Sequence, residues 1–326
     1  VVATHTMIQS HRMSYLPLNI KISFMTFQKI TLIDFCGLTS PILEQIAQLS
    51  IEPITIYNDF PTTDDEILGR IADSDCILVS WNTKVNGEVI KASPKLKYIG
   101  MCCSLYDEKA ANVDIAQARL QNIVVKGVRD YGDDGTLEFI FAELIYLMKG
   151  LGKLQWQVET RELRGKRMGI IGMGTLGTMV ARTARHFGME VFYFNRSRKY
   201  ELEEEGFGFM PLNELMASCD VISLHLPKHS NVLHETEFRY KKPNSILVNT
   251  VIGLSFEKEA FVNWICADKT SYAIFDRVGV GEHFDEFSKY PNVILSERSS
   301  GFTLEAKQRL SEKVLDNIQS FFFDKQ

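Results

Sequence analysis

From residue 29 onward, short apolar runs alternate with amphipathic stretches, and the alternation reads as strand, helix, strand. The first run, 29–35, predicts a strand, 40–49 a helix and 54–58 a second strand. Thr62 and Thr63, with Glu66 just beyond, form a polar cap that opens the next helix. Strands are then expected at 75–81, 97–102 and 122–126, separated by helices at 87–92 and 113–120. A long helix over 135–149 leads into a second unit of the same kind. Its strands are expected at 168–171, 190–194, 221–226, 245–249, 271–275 and 292–295, and a helix over 304–323 is long enough to return to the first unit. This pattern predicts an α/β fold of two doubly wound parallel-sheet domains. Residues 1–24 contain no acidic residue and are expected to be a disordered extension.

Composition narrows the classes. At 326 residues the chain can bury two cores, and 45% hydrophobic with 24% charged residues is ordinary for a globular protein. A net charge of −5 argues against nucleic acid or an anionic membrane surface as the main partner, and no apolar run has the length of a membrane span. The six cysteines show no metal-ligand spacing, so no metal is expected; buried free thiols fit a cytoplasmic protein. Cys102 and Cys103, with Ser104, lie at an expected strand end and are candidates for a substrate pocket.

The strand ending at Ile171 runs into Gly172, Gly174 and Gly177, and a helix is expected from 178 to 186. In a strand–turn–helix context this spacing points to a dinucleotide. The first glycine permits the turn, the second lets backbone approach the pyrophosphate, and the third lets helix pack on strand. Thr175 and Leu176 lie inside the same turn, whose N–H groups favour phosphate. Asn195 ends the following strand, where an NAD enzyme places a carboxylate on the ribose 2′-hydroxyl. The neighbours Arg196, Ser197, Arg198 and Lys199 can instead meet a 2′-phosphate, so NADP(H) is favoured over NAD(H).

From residue 29 to the end the chain resembles the D-isomer-specific 2-hydroxyacid dehydrogenase family. The resemblance rests on the segments 94–100, 112–114, 165–172 and 220–227, and continues through 242–250, Asp276, 291–295 and 301–306. It implies a Rossmann coenzyme domain (127–299) inserted into a flavodoxin-like substrate domain (25–126 plus 300–326). It also implies a homodimer, a small-molecule substrate in the cleft between domains, and cofactor contacts from Leu226, Pro227, Thr250, Val251 and Asp276. His225, by the same resemblance, is structural.

The chain departs from the family where the chemistry should be. The position of the substrate-binding arginine is Ile252, that of the orienting glutamate is Gly281, and that of the proton-carrying histidine is Arg298. The loop 101–111 lacks the glycines that cradle a carboxylate. Ordinary 2-hydroxyacid oxidation is therefore not expected. Arg298 cannot act as a general acid but can orient a carboxylate. Glu282, one residue late, can regain the glutamate position, and Tyr131, at the entry to the interdomain helix, can donate a proton. His283 is expected to be solvated, and Asp133 and Asp134 to complement a helix dipole. The expectation is an NAD(P)-dependent oxidoreductase of altered chemistry, reducing a carbonyl or imine-like carbon. The alternative is a catalytically silent nucleotide-binding sensor or scaffold.

Overall fold

The computed structural model describes residues 26–228 and 230–323; the extension at 1–24 lies outside them. Two sheets carry the fold, and every strand pair in both is parallel. The first contains β1 (Ile30–Leu32), β2 (Thr55–Ile56), β3 (Cys76–Val79), β4 (Tyr98–Ser104) and β5 (Val124–Val128), in the order β2-β1-β3-β4-β5. The second contains β6 (Arg167–Ile171), β7 (Glu190–Phe194), β8 (Gly208–Phe209), β9 (Val221–Leu224), β10 (Ile246–Asn249), β11 (Tyr272–Phe275) and β12 (Val293–Leu295). Its order is β12-β11-β10-β9-β6-β7-β8. The first is the flavodoxin-like order and the second extends the Rossmann order, so each has a point where strand order reverses: β1/β3 in one, β6/β9 in the other.

Both faces of each sheet are covered, which is why its strands read as continuous apolar runs. Side chains alternate between the two faces. In the first sheet Ile30, Leu32, Cys76, Leu78, Tyr98 and Cys102 pack on one side, and Ile77, Val79, Ile99, Met101 and Cys103 on the other. The second sheet does the same with Met168, Ile170, Val221 and Val248 opposite Ile171, Ile222, Leu247 and Phe275. The helix Leu304–Phe323 returns to the first sheet, packing on β4 and β5 and burying Leu310, Val314, Ile318 and Phe321 in the first core. The helix Asp133–Lys149 instead joins the second core through Ile140, Leu144 and Leu147.

Element ends differ from the apolar pattern for local reasons. The helix after the glycine turn starts at Thr175 rather than 178, because Gly174 in extended conformation (φ −85°, ψ −160°) serves as its N-cap. β9 stops at Leu224, two residues early; His225 N–H still reaches Ile171 O, but Pro227 has no N–H to continue the ladder. β4 runs on to Ser104 past a register shift between Gly100 and Ser104. The cap at Thr63 forms: its side chain accepts from Glu66 N–H, and Glu66 accepts from Thr62 N–H. The helices Tyr200–Glu204 and Glu235–Tyr240 left no apolar pattern because each buries one side chain, Leu202 and Phe238. Among the described residues no helix is long and apolar enough to cross a membrane.

Candidate active site

The glycine turn sits at the carboxyl end of β6, beside the β6/β9 reversal. Gly172 has φ +100°, and a Cβ there would lie 2.1 Å from His225 O. A Cβ on Gly177 would lie 2.0 Å from Gly172 O, so only glycine lets the helix approach the strand this closely. Gly174 differs: a Cβ there would meet no protein atom within 4 Å. Its freedom is toward open space, as needed for backbone that a ligand approaches. The helix Thr175–His186 begins with no side-chain cap and no acidic residue, leaving Thr175 and Leu176 N–H groups and the positive end of the dipole for an anion. A cavity of about 410 Å³ lies beside it, lined by Met173, Gly174, Thr175, Arg182, Lys199 and Glu201 among others. These features fit a dinucleotide pyrophosphate.

The end of β7 re-sorts the basic residues. Asn195 Oδ1 accepts from Met173 N–H at 3.4 Å and its Nδ2 donates to Ser197 O at 2.9 Å, so the side chain ties the two turns together. Arg198, expected to be open to phosphate, is instead chelated by Glu203 and lies over the Tyr200 and Phe209 rings. Arg196 and Ser197 are exposed, and Lys199 lines the cavity.

A second cavity, about 510 Å³, opens between the sheets and is lined by Trp81 and Lys228, by Ile252–Leu254, and by Arg277, Val278, Gly281, Glu282 and Ser299. The positions of the missing arginine and glutamate, Ile252 and Gly281, therefore share one wall system. Glu282 lines it too, though its side chain is 89% exposed and lies 3.9 Å from His283. His283 stacks on Phe287 and lies 3.7 Å from Glu286 rather than projecting inward. Arg298 is exposed and does not line the cavity; its carbonyl accepts from Arg277 N–H at 3.1 Å.

Asp276 was expected to line the cofactor cleft, but it is fully buried and both oxygens are engaged. Oδ1 accepts from Gly279 N–H, capping the turn Arg277–Val280, and Oδ2 accepts from Ser300 N–H and hydroxyl. Asp276 is a brace. Thr250 keeps a buried hydroxyl without a protein partner at the end of β10, whereas Val251 packs in the core. Asn249 donates to Gly253 O and Gly279 O, holding the Ile252 loop against the Arg277 turn. Leu226 is half-buried and Pro227 exposed at the end of β9. His225 is half-buried with its ring shielded, Nε2 lies 2.9 Å from Ser223 Oγ, and desolvation of the ring pulls its pKa down to about 3, so it is neutral.

The pocket assignment of Cys102 and Cys103 is corrected. Both lie within β4 rather than at its end and point into opposite cores, where burial pushes the Cys103 thiol up to about 12. Only Ser104 is exposed. Tyr131 is half-buried beside the first core; burial raises its phenol to about 12, with a hydrogen bond from Ser104 acting the other way. It is not a wall of the cavity. Asp133 has an oxygen buried without a partner, and burial, then Asp130 and Asp134, raise its carboxyl to about 6.

Trp81, Lys228 and Arg277 were not singled out by the sequence. Trp81 and Arg277 are each the second residue past a strand end, β3 and β11, and Lys228 is the fourth past β9; a place just beyond the carboxyl edge is the signal that could have found them. Trp81 is presented by a loop braced from below: Asp34 accepts from Ser80 N–H (2.8 Å) and hydroxyl (2.7 Å), and Asn112 Nδ2 donates to Ser80 O.

Residues 143–297 match the family model of the D-isomer specific 2-hydroxyacid dehydrogenase NAD binding domain. The chain is 28% identical over 287 residues to a glyoxylate reductase of Korarchaeum cryptofilum, covering 81% of this chain and 84% of that protein. An acyclic imino acid reductase in complex with NADPH and D-Arg superposes with TM-score 0.77 at 25% identity, over 91% of this chain and 98% of that one. An NAD+-bound 3-phosphoglycerate dehydrogenase of Entamoeba histolytica gives TM-score 0.74 at 21% identity, over 92% and 96%, a likeness of fold. With its nucleotide turn, two parallel sheets and these relatives, the chain carries at 143–297 the NAD binding domain of the D-isomer specific 2-hydroxyacid dehydrogenases and is similar along most of its length to NAD(P)-dependent oxidoreductases of that kind.

Proposed function

We propose that this chain is an NADPH-dependent reductase of a small carbonyl or imine-like substrate, working without the family's usual arginine, glutamate and histidine. The observation that carries the reading is the cavity wall itself: Ile252 and Gly281 line the space between the sheets where the ionisable pair would stand. Bound reduced nicotinamide would supply a hydride to the substrate carbon; a carbonyl oxygen also needs a proton, whereas an iminium already carries one. Loss of the histidine at 298 therefore suits an imine better than a carbonyl. The structural relative that holds NADPH and D-Arg supports that direction. The protein's own part is to hold the cofactor at Gly172–Gly177 and exclude water with Trp81, Ile252 and Leu254. Tyr131, the candidate donor where a proton is needed, lies outside the cavity wall and would have to move to reach substrate. Arg298 would reach substrate only if the 296–300 turn moved.

NADPH is favoured over NADH because no carboxylate ends β7 and Arg196, Ser197 and Lys199 stay open beside Asn195, although Arg198 is taken by Glu203. In this reading 25–126 with 300–326 holds substrate and 127–299 holds coenzyme. Exposed apolar side chains at Tyr146, Leu151 and Val158 support a homodimer through the coenzyme unit. The test is NADPH oxidation against a panel of 2-oxo acids, aldehydes and imines, with Arg298→Ala alongside. Turnover of at least one class is expected. Tight NADPH binding with no turnover of any class would favour the silent sensor or scaffold, a reading that the exposure of Arg298 outside the cavity also supports.

A further inference from the structure

Lys228 follows Pro227 at the β6/β9 reversal of the second sheet, and Trp81 follows Ser80 near the β1/β3 reversal of the first. The Lys228 ammonium lies 5.9 Å from the centroid of the Trp81 ring, so the two sheets meet across the cavity at this pair. Lys228 is half-buried and, among the described residues, has no carboxylate partner. The other cation on the wall, Arg277, is already held: its guanidinium donates to Gly281 O and lies over the Phe284 ring at 5.2 Å. An ammonium kept from water on one side by an indole, with no anion of its own, is arranged to receive one.

We infer that Lys228 is the residue that holds the substrate's carboxylate, in place of the guanidinium lost at Ile252. Trp81 positions the ammonium, and the Asp34–Ser80 and Asn112–Ser80 bonds position Trp81. The flexible lysine stem approaches from the β9 loop, so the carboxylate enters from a different side than an arginine at 252 would permit. This rests on the reductase reading for its substrate, but not for its measurement.

The probe is oxalate, titrated calorimetrically into the NADPH-loaded protein. Wild type is expected to bind it. Lys228→Met is expected to weaken oxalate roughly tenfold or more with NADPH affinity unchanged, and Lys228→Arg to weaken it less, as expected for loss or retention of a charge-assisted contact. Arg277→Gln is expected to change oxalate binding less than Lys228→Met. The same ordering should appear in KM, more than in kcat, for any acid the protein reduces. No oxalate binding by wild type, unchanged binding in Lys228→Met, or a loss confined to Arg277→Gln overturns the inference. Lys228-dependent oxalate binding with no turnover of any substrate leaves it standing and removes the reductase reading. Turnover of neutral aldehydes alone, with no oxalate binding, does the reverse.

Discussion

Asp276 Oδ2 accepts both the N–H of Ser300 (2.8 Å) and its hydroxyl (2.7 Å), tying the end of β11 to the segment that leads into the last helix. Ser300 Oγ in turn lies 3.2 Å from Thr136 Oγ1 on the helix Asp133–Lys149. One buried carboxylate thus joins three elements behind the cavity.

Removing it should be costly. Asp276→Ala leaves Gly279 N–H and Ser300 N–H unpaired in a dry site, the Ser300 hydroxyl keeping Thr136 Oγ1, and each unpaired group costs about 1–3 kcal/mol. A loss of about 3–5 kcal/mol in urea unfolding is expected, and about 1 kcal/mol for Ser300→Ala, which keeps its N–H bond. Equal losses for the two variants would contradict the brace.

The three glycines of the turn should separate by experiment. Gly177→Ala and Gly172→Ala force backbone apart, so both should lower the melting temperature and abolish NADPH binding together. Gly174→Ala meets no protein atom and should leave the melting temperature within about 2 °C while weakening NADPH by an order of magnitude or more. Fluorescence titration beside thermal unfolding reads both quantities.

Cofactor choice should hang on Arg196 rather than Arg198. Arg196→Ala is expected to weaken NADPH about tenfold and leave NADH unchanged, the value of one charge-assisted phosphate contact. Arg198→Ala should affect the two cofactors alike, since its guanidinium is bound to Glu203. NADH binding more tightly than NADPH to wild type would remove the preference altogether.

Asp133 sets one pH dependence. Its carboxyl is raised to about 6 by burial, with Asp130 and Asp134 adding to the effect. The folded chain therefore holds more protons than the unfolded chain between about pH 4 and 6, and stability falls as pH rises through that window. Asp133→Asn should stabilise the protein by about 1–2 kcal/mol at pH 8, with the difference vanishing near pH 4. Urea midpoints at both pH values test it; a difference larger at pH 4 has the wrong sign.

Lys241 sets an opposite one. It is fully buried, donates to Ser245 Oγ and faces the Trp264 ring at 5.7 Å; burial holds its pKa down to about 7. Between about pH 7 and 10 the folded chain holds fewer protons than the unfolded one, so stability rises with pH. Lys241→Met should raise the urea midpoint at pH 7, by on the order of 2 kcal/mol, and less at pH 10. A larger gain at pH 10 would contradict the burial.

Much of this molecule is legible along the chain. Period and capping identify most strands and the final helix, because a parallel strand covered on both faces must be an apolar run. The glycine spacing marks the nucleotide turn, because backbone clashes at 172 and 177 leave no other residue. What neighbours in sequence could not decide is which side chains are already occupied. Arg198 reads as free until Glu203 is folded against it, Asp276 as a cleft residue until Gly279 and Ser300 take its oxygens, and Cys102 and Cys103 as pocket residues until β4 runs past them. Lys228 is the converse. Its partner Trp81 lies on another sheet, and only the meeting of the two reversal points brings them into one cavity. Pairing across 147 positions is set by tertiary packing, not by any local preference of the chain.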